Sequence, residues 1–198
     1  MRSVFALFAA LALLVSCASN SDNAAKYSSN DLMFADMMIP HHEQAIQMSD
    51  LAIEISENPD IVALARKIKA AQAPEIEQMK LWEDNGDPSH MGHDMMEDFD
   101  HSGHGMMGML DEGEISELER AQGVEFDRLF LKGMIAHHEG AIDMVMMIEN
   151  SSNTDISNLG QEIVKSQTAD LEAKNKQLAQ QLEANSKFAK ETVATVNK

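Results

Sequence analysis

The sequence predicts an all-α protein in which two repeated helical hairpins form a four-helix bundle. Three observations predict it. The composition is rich in helix formers such as Ala, Met, Leu, Glu and Gln, while aromatic residues make up only 5%. One stretch of the chain occurs twice, and its apolar residues recur with the period of a helix. Each copy is then followed by a second amphipathic pattern, so the repeating unit is a helical hairpin.

The repeated stretch contains a pair of adjacent histidines at the same offset in both copies. Residues 34–48 read FADMMIPHHEQAIQM, and residues 130–144 read FLKGMIAHHEGAIDM. At 100° per residue, the Phe, a Met, the first His, an Ala and the last Met share one apolar face. The second His lies at the edge of that face. Both histidines of each pair are therefore expected to point into a core, where a polar ring needs a partner.

The chain divides into segments by composition and periodicity. The predicted segments are a signal peptide (1–16), a flexible tether (17–29), a four-helix bundle (30–190) with a Met/His-rich linker (85–112), and a frayed tail (191–198). The predicted helices are 30–57, 60–84, 114–149 and 155–190. A break near Gly123 would make Glu114–Ala121 a separate short helix. Pro40 lies inside the first helix, where a bend is expected before the histidine pair.

The N-terminus reads as an export signal. Arg2 precedes the apolar run Val4–Val15, which is too short to span a bilayer but suits the core of a signal peptide. The run ends in Leu-Val-Ser-Cys, which resembles a bacterial lipobox with Cys17 as the lipidated residue. Ordinary secretion with an incidental cysteine is the alternative. We expect a cell-envelope lipoprotein, periplasmic or otherwise extracytoplasmic, that meets the membrane only through its lipid anchor.

The charge of the chain limits its partners. The formal net charge is -18 at pH 7. Such an acidic chain repels phosphate backbones, so nucleic acid is excluded as an expected partner, whereas cations are attracted.

The linker supplies the clearest chemical signal. Sixteen methionines are present in the chain, and many stand in the linker among Gly, Asp and His rather than at helical spacing. Thioether sulfur suits Cu(I), and by the same softness Ag(I), while imidazole also binds Cu(II). The predicted linker ligands are His90, Met91, His93, Met95, Met96, His101, His104, Met106, Met107 and Met109.

The two histidine pairs are the second candidate metal site. In a bundle with approximate twofold symmetry the two copies face each other, which brings four imidazoles together. The predicted ligands here are His41, His42, His137 and His138, with Met38, Met48, Met134 and Met144 beside them on the same faces. For the methionines, core packing is the competing interpretation. Glu43 and Glu139 follow the pairs and are expected to be solvated, or to orient a ring N–H.

Several enzyme classes lack their signatures. No Glu-x-x-His lies on a predicted bundle helix, so the ligand set of a ferritin-type di-iron oxidase is missing. No Cys-x-x-Cys-His is present for covalent haem, and no nucleophile–base pairing or Gly-rich phosphate loop stands out. No catalytic residue is assigned.

The paired M-I-x-H-H-E-x-A-I motifs, the Phe-Asp-Arg-Leu-Phe lead-in at 126–130 and the helix with Gln72 and Glu75 resemble the family called domain of unknown function 305. The resemblance covers about residues 31–182. It implies a ferritin-like four-helix bundle, commonly exported, similar in some members to periplasmic copper- and silver-binding resistance proteins. It also implies that the two His-His pairs are the family's pairs.

Three functions follow as hypotheses. The first is a copper-binding protein, chiefly for Cu(I) and also for silver, that sequesters the metal or hands it to a copper efflux or chaperone protein. The second is a redox metalloenzyme, such as a cuprous oxidase or a haem site in the bundle. The third is a structural or interaction module whose histidines only hydrogen-bond across the core. The sequence does not indicate the oligomeric state.

Overall fold

The computed structural model describes residues 26–86 and 108–196. Within these ranges the chain forms five α-helices and no strand, which confirms the predicted all-α class. The predicted signal peptide, Cys17 and most of the Met/His-rich linker lie outside the described residues. No helix in the described part of the chain is long and apolar enough to cross a bilayer.

The helices begin at capping residues that the sequence supplies. The five helices are α1 (Ser29–Ile55), α2 (Pro59–Asn85), α3 (Glu112–Arg120), α4 (Gly123–Val145) and α5 (Thr154–Val196). Ser28 caps α1 and Asp111 caps α3, each through a reciprocal capping box with an acidic residue three positions later. Asn58 caps α2, and Pro59 occupies its first turn, where the missing N–H costs no hydrogen bond.

The predicted third helix is in fact three elements. Residues 112–120 form α3 and residues 123–145 form α4, because Gly123 takes a positive φ of 57° at the junction. A 3-10 turn, Met146–Ile148, then ends α4. At the other end, α5 continues to Val196, past the predicted end at 190.

Two helical hairpins pack against each other. The hairpin of α1 and α2 meets the hairpin of α4 and α5 mainly through α1 and α4, while α3 lies on α4. Lys67 on α2 also pairs with Asp170 on α5 at 2.6 Å. Ser56 donates a hydrogen bond to Asp127 at 2.6 Å, which joins the end of α1 to the start of α4. The two repeated hairpins of the sequence are thus present, and the ferritin-like arrangement stays a prediction.

The core has two clusters with the histidines between them. The first cluster contains Met38 of α1 and Met144 of α4, and the second contains Met48 of α1 and Met134 of α4. The N-terminal part of α1 therefore packs on the C-terminal part of α4, and the C-terminal part of α1 packs on the N-terminal part of α4. The two helices run antiparallel. The histidine pairs lie between these methionines on both helices, where α1 and α4 cross.

Candidate metal centre

The antiparallel crossing of α1 and α4 brings the two histidine pairs together. All four rings have 0% exposed surface. The centroids of the His41 and His137 rings are 3.7 Å apart. His42 lies 6.4 Å from His41, and His138 lies 6.2 Å from His137, also between ring centroids. The four imidazoles therefore form one buried cluster at the crossing of α1 and α4.

The hydrogen bonds of His137 fix its tautomer. Its Nε2 lies 2.8 Å from the carbonyl oxygen of His41. A carbonyl oxygen only accepts, so Nε2 carries the hydrogen and donates it across the helix interface. In the neutral ring the lone pair is then on Nδ1. This atom is buried and has no hydrogen-bond partner among the described residues.

His42 has the same arrangement with a different partner. Its Nε2 donates to the carboxylate of Glu75 on α2 at 2.8 Å, and Glu75 is largely buried. The Nδ1 atom of His42 is buried and also lacks a partner in the part of the chain that the structure describes. A carboxylate that accepts one ring N–H of a histidine, leaving the other nitrogen for a metal, is a recurrent feature of metal sites.

His138 differs from both, because its two ring nitrogens already have partners. The buried Lys174 of α5 contacts Nδ1 through its Nζ, which also donates to the carbonyl oxygen of Met134 at 3.2 Å. The side-chain amide of Gln72 lies 3.3 Å from Nε2. When Lys174 is charged its ammonium only donates, so Nδ1 then accepts and Nε2 carries the hydrogen. The backbone of Gln167 also makes a hydrogen bond with this ring.

Burial keeps the two α4 histidines neutral. Loss of solvent, and then the neighbouring His41, lowers the pKa of His137 well below its ordinary value. Loss of solvent, and then the charge of Lys174, does the same to the pKa of His138. Burial also lowers the pKa of Lys174 to about 7, against the opposing attraction of Asp170. At neutral pH the two α4 rings therefore bear lone pairs, which a metal ligand needs.

The methionines of the repeat are core residues in this structure. Met38, Met48, Met134 and Met144 are each 0% exposed and belong to the two apolar clusters. They precede and follow the histidine pairs along α1 and α4. In the described residues, no group of three or more His, Cys, Asp or Glu side chains is arranged to hold a metal ion. The donor chemistry of the four histidines fits a soft or borderline ion, whereas the side-chain positions in this structure do not yet form a coordination site.

The C-terminal end of the Met/His-rich linker is fixed beside the histidines. Gln44 on α1 makes two hydrogen bonds with the backbone of Leu110, one to its carbonyl oxygen and one from its N–H, both at 2.8 Å. Gly108 takes a φ of 83° and lies so close to the Ala136 carbonyl on α4 that a Cβ would overlap it. Met109, between these two anchors, is half-buried.

The other predicted linker ligands lie outside the described residues. These are His90, Met91, His93, Met95, Met96, His101, His104, Met106 and Met107.

Three residues of the centre were not assigned roles from the sequence. Glu75 orients His42, Lys174 holds His138, and Gln44 anchors the linker. Glu43 and Glu139 are exposed, which agrees with the first of their two expected roles, that of solvated side chains, and Glu43 pairs with Lys80 at 3.3 Å. A signal was nevertheless present in the sequence. Polar residues stand at stripe positions of α2 and α5 where apolar residues are expected: Gln72, Gln167, Asp170 and Lys174.

The chain has clear relatives of known structure. The family model described as "Domain of unknown function (DUF305)" matches residues 31–179. CopM in its Cu(II)-bound form shares 34% identity, covering 76% of this chain and 96% of that chain, with a TM-score of 0.62. CopM is also solved in Cu(I)-bound and Ag-bound forms, at 29% and 27% identity with TM-scores of 0.58 and 0.57.

A DUF305 protein from Streptomyces coelicolor, provisionally described as secreted, shows the same fold. It shares 24% identity, covering 77% of this chain and 93% of that chain, with a TM-score of 0.65. No curated protein matches the sequence.

Proposed function

The chain belongs to the DUF305 family, and from that premise we propose that it is an exported copper-binding protein of the cell envelope. Its main cargo is Cu(I), with Ag(I) taken up through the same soft donors. Its role is sequestration, or handover to a copper efflux or chaperone protein. CopM, crystallised with Cu(I), Cu(II) and Ag, supports the proposal at 27–34% identity.

The observation that carries the proposal is the state of two buried imidazoles. His42 and His137 each donate Nε2–H to an oxygen and keep a buried Nδ1 that has no partner among the described residues. A buried polar atom without a partner is costly, so its retention in both copies needs a reason. Binding of a metal ion by these two nitrogen atoms, after a local adjustment of the rings, provides one.

The linker adds the sulfur donors. Gln44 and Gly108 fix the C-terminal end of the linker at the crossing of α1 and α4, next to the buried histidines. We propose that its Met and His side chains capture the ion first and that the four buried histidines form a second site. The acidic surface of the chain raises the local concentration of cations.

The test is a titration of the metal-free full chain with Cu(I) against a competing chelator without oxygen. A variant with Met91, Met95 and Met96 changed to leucine should bind Cu(I) at least about tenfold more weakly. Met146→Leu is the matched control, because this methionine is 70% exposed and lies outside both proposed sites. Micromolar or weaker binding that the linker changes do not affect would refute the proposal.

Export and lipidation are part of the same proposal. Cleavage after residue 16 would leave Cys17 as the lipidated first residue. Cys17→Ser should move the protein from the membrane fraction to the soluble extracytoplasmic fraction. Equal membrane association of both forms would remove the lipid anchor from the proposal.

A structural role is the second candidate, and the hydrogen bonds of His138 favour it. Both nitrogens of this ring have protein partners, as expected of a histidine that only packs the core. In that case a His41→Leu, His137→Leu double variant would be more stable than the natural chain and would keep its full metal capacity. Loss of metal capacity in this variant would favour the copper site instead.

A further inference from the structure

The two halves of the buried centre are unequal, although the sequence that builds them is repeated. His42 and His138 hold the same position in the two copies of the motif. The Nδ1 of His42 has no partner among the described residues, whereas the Nδ1 of His138 contacts the Nζ of Lys174. The difference therefore lies in what faces the ring, and not in the ring itself.

The side chain that makes the difference comes from the second helix of each hairpin. The apolar stripes of α2 and α5 align at a constant offset, with Ile61, Leu64 and Ile68 matching Ile156, Leu159 and Ile163. The same offset matches Met79 with Lys174. Both are 0% exposed. The second half therefore carries an amine where the first half carries a thioether.

An ammonium group and a metal ion compete for the same lone pair. Lys174 Nζ has three donors and no lone pair when charged, and it uses two of those donors on His138 Nδ1 and the Met134 carbonyl oxygen. Both acceptors are buried, and Lys174 reaches them from a fully buried position. A metal ion cannot bind His138 Nδ1 until this side chain leaves.

We propose that the Lys174 amine closes His138 to metal ions, so that the centre binds a soft ion through His42 and His137 and not through His138. This proposal rests on the proposed function for the identity of the cargo, and it adds a residue that sets the metal capacity. Of the two histidines at this position of the repeat, His42 then binds the metal ion, and His138 is a structural residue in the natural chain.

The experiment is a titration of the full chain with Ag(I) in chloride-free buffer, read as equivalents bound at equilibrium. Lys174→Leu removes the ammonium without adding a sulfur donor, and it should bind one more equivalent than the natural chain. Lys67→Leu is the control for the lost charge, because Lys67 pairs with Asp170 but is 64% exposed. This control should bind the natural number.

A double variant identifies the ligand. Lys174→Leu combined with His138→Ala should lose the additional equivalent. Should Lys174→Leu not fold, Lys174→Ile takes its place, since it also removes the amine without adding a sulfur donor. Equal stoichiometry in the natural chain and the folded Lys174 variant would overturn the proposal, and so would a gain that survives the loss of His138.

The outcome is separable from that of the proposed function. If the natural chain binds no Cu(I) or Ag(I), the proposed function fails. If the natural chain binds metal but removal of Lys174 adds no site, only the role of Lys174 fails.

Discussion

Replacing Lys174 by methionine should stabilise the fold near neutral pH and flatten the dependence of its stability on pH. Burial lowers the pKa of Lys174 to about 7, from an ordinary value of 10.5. Between these two values the unfolded chain binds a proton that the folded chain does not. The free energy of unfolding of the natural protein therefore rises with pH across this window.

The magnitude follows from the size of the shift. One pKa unit corresponds to about 1.4 kcal/mol, so the full penalty for Lys174 is on the order of 5 kcal/mol below pH 7. Between pH 7.5 and 9.5 the natural chain should regain about 2 to 3 kcal/mol of that penalty. Lys174→Met lacks the group. It also loses the two hydrogen bonds of Nζ, worth about 1–3 kcal/mol together, so at pH 7.5 it should be about 1–3 kcal/mol more stable.

The assay is urea denaturation at several pH values, followed by far-ultraviolet circular dichroism and by the fluorescence of Trp82. This tryptophan is buried on α2 and is the only one in the chain. The advantage of the variant should shrink as the pH rises from 7.5 to 9.5, because only the natural chain gains stability from Lys174. Taking the difference between the two proteins cancels the titration of their other groups. Parallel curves for the two proteins would refute the prediction.

Three further changes test other parts of the centre. Glu75→Gln should weaken binding of Cu(I) by about 10–100-fold in a chelator competition, because the carboxylate orients His42. Glu77 is exposed, so Glu77→Gln is the control and should leave the affinity for Cu(I) unchanged. Gly108→Ala should destabilise the chain by more than about 2 kcal/mol, because strain at positive φ adds to overlap with the α4 backbone. Gly123→Ala has open space around its Cβ and should cost only about 1 kcal/mol, so equal losses in thermal denaturation of the two variants would contradict the assignment. Gln44→Leu removes both hydrogen bonds between Gln44 and Leu110, so amide hydrogen exchange at Leu110 should increase. The free energy of unfolding should fall by no more than about 1–3 kcal/mol. Unchanged exchange at Leu110 would show that Gln44 does not anchor the linker.

The sequence predicted the helices because local patterns determine them. The apolar spacing required no tertiary information, and the predicted starts at 30 and 60 fall within a residue of the observed ones. The repeat also predicted that the two histidine pairs would meet, since two copies of one amphipathic face pack on each other. The sequence does not decide whether the helix breaks at Gly123, because a glycine can be tolerated inside a helix or can mark its end.

The hydrogen bonds of the histidines could not be predicted in the same way. Whether His42 or His138 keeps an open nitrogen depends on side chains that come from the other helix of each hairpin. Glu75 lies 33 positions from His42, and Lys174 lies 36 positions from His138. No local period encodes such pairings. What the sequence did contain was the exception to the pattern, namely polar residues on an apolar stripe.

That exception distinguishes the two halves of the repeat. A buried lysine is costly unless its charge is held by acceptors, and here both acceptors belong to α4. A centre used only for packing has no need of an amine there, and the first half carries the apolar Met79 at the matching position. The lysine therefore requires a reason other than stability. If the Lys174 amine closes His138, as we propose, His42 and His137 remain as the open nitrogens, which limits the centre to a single soft ion.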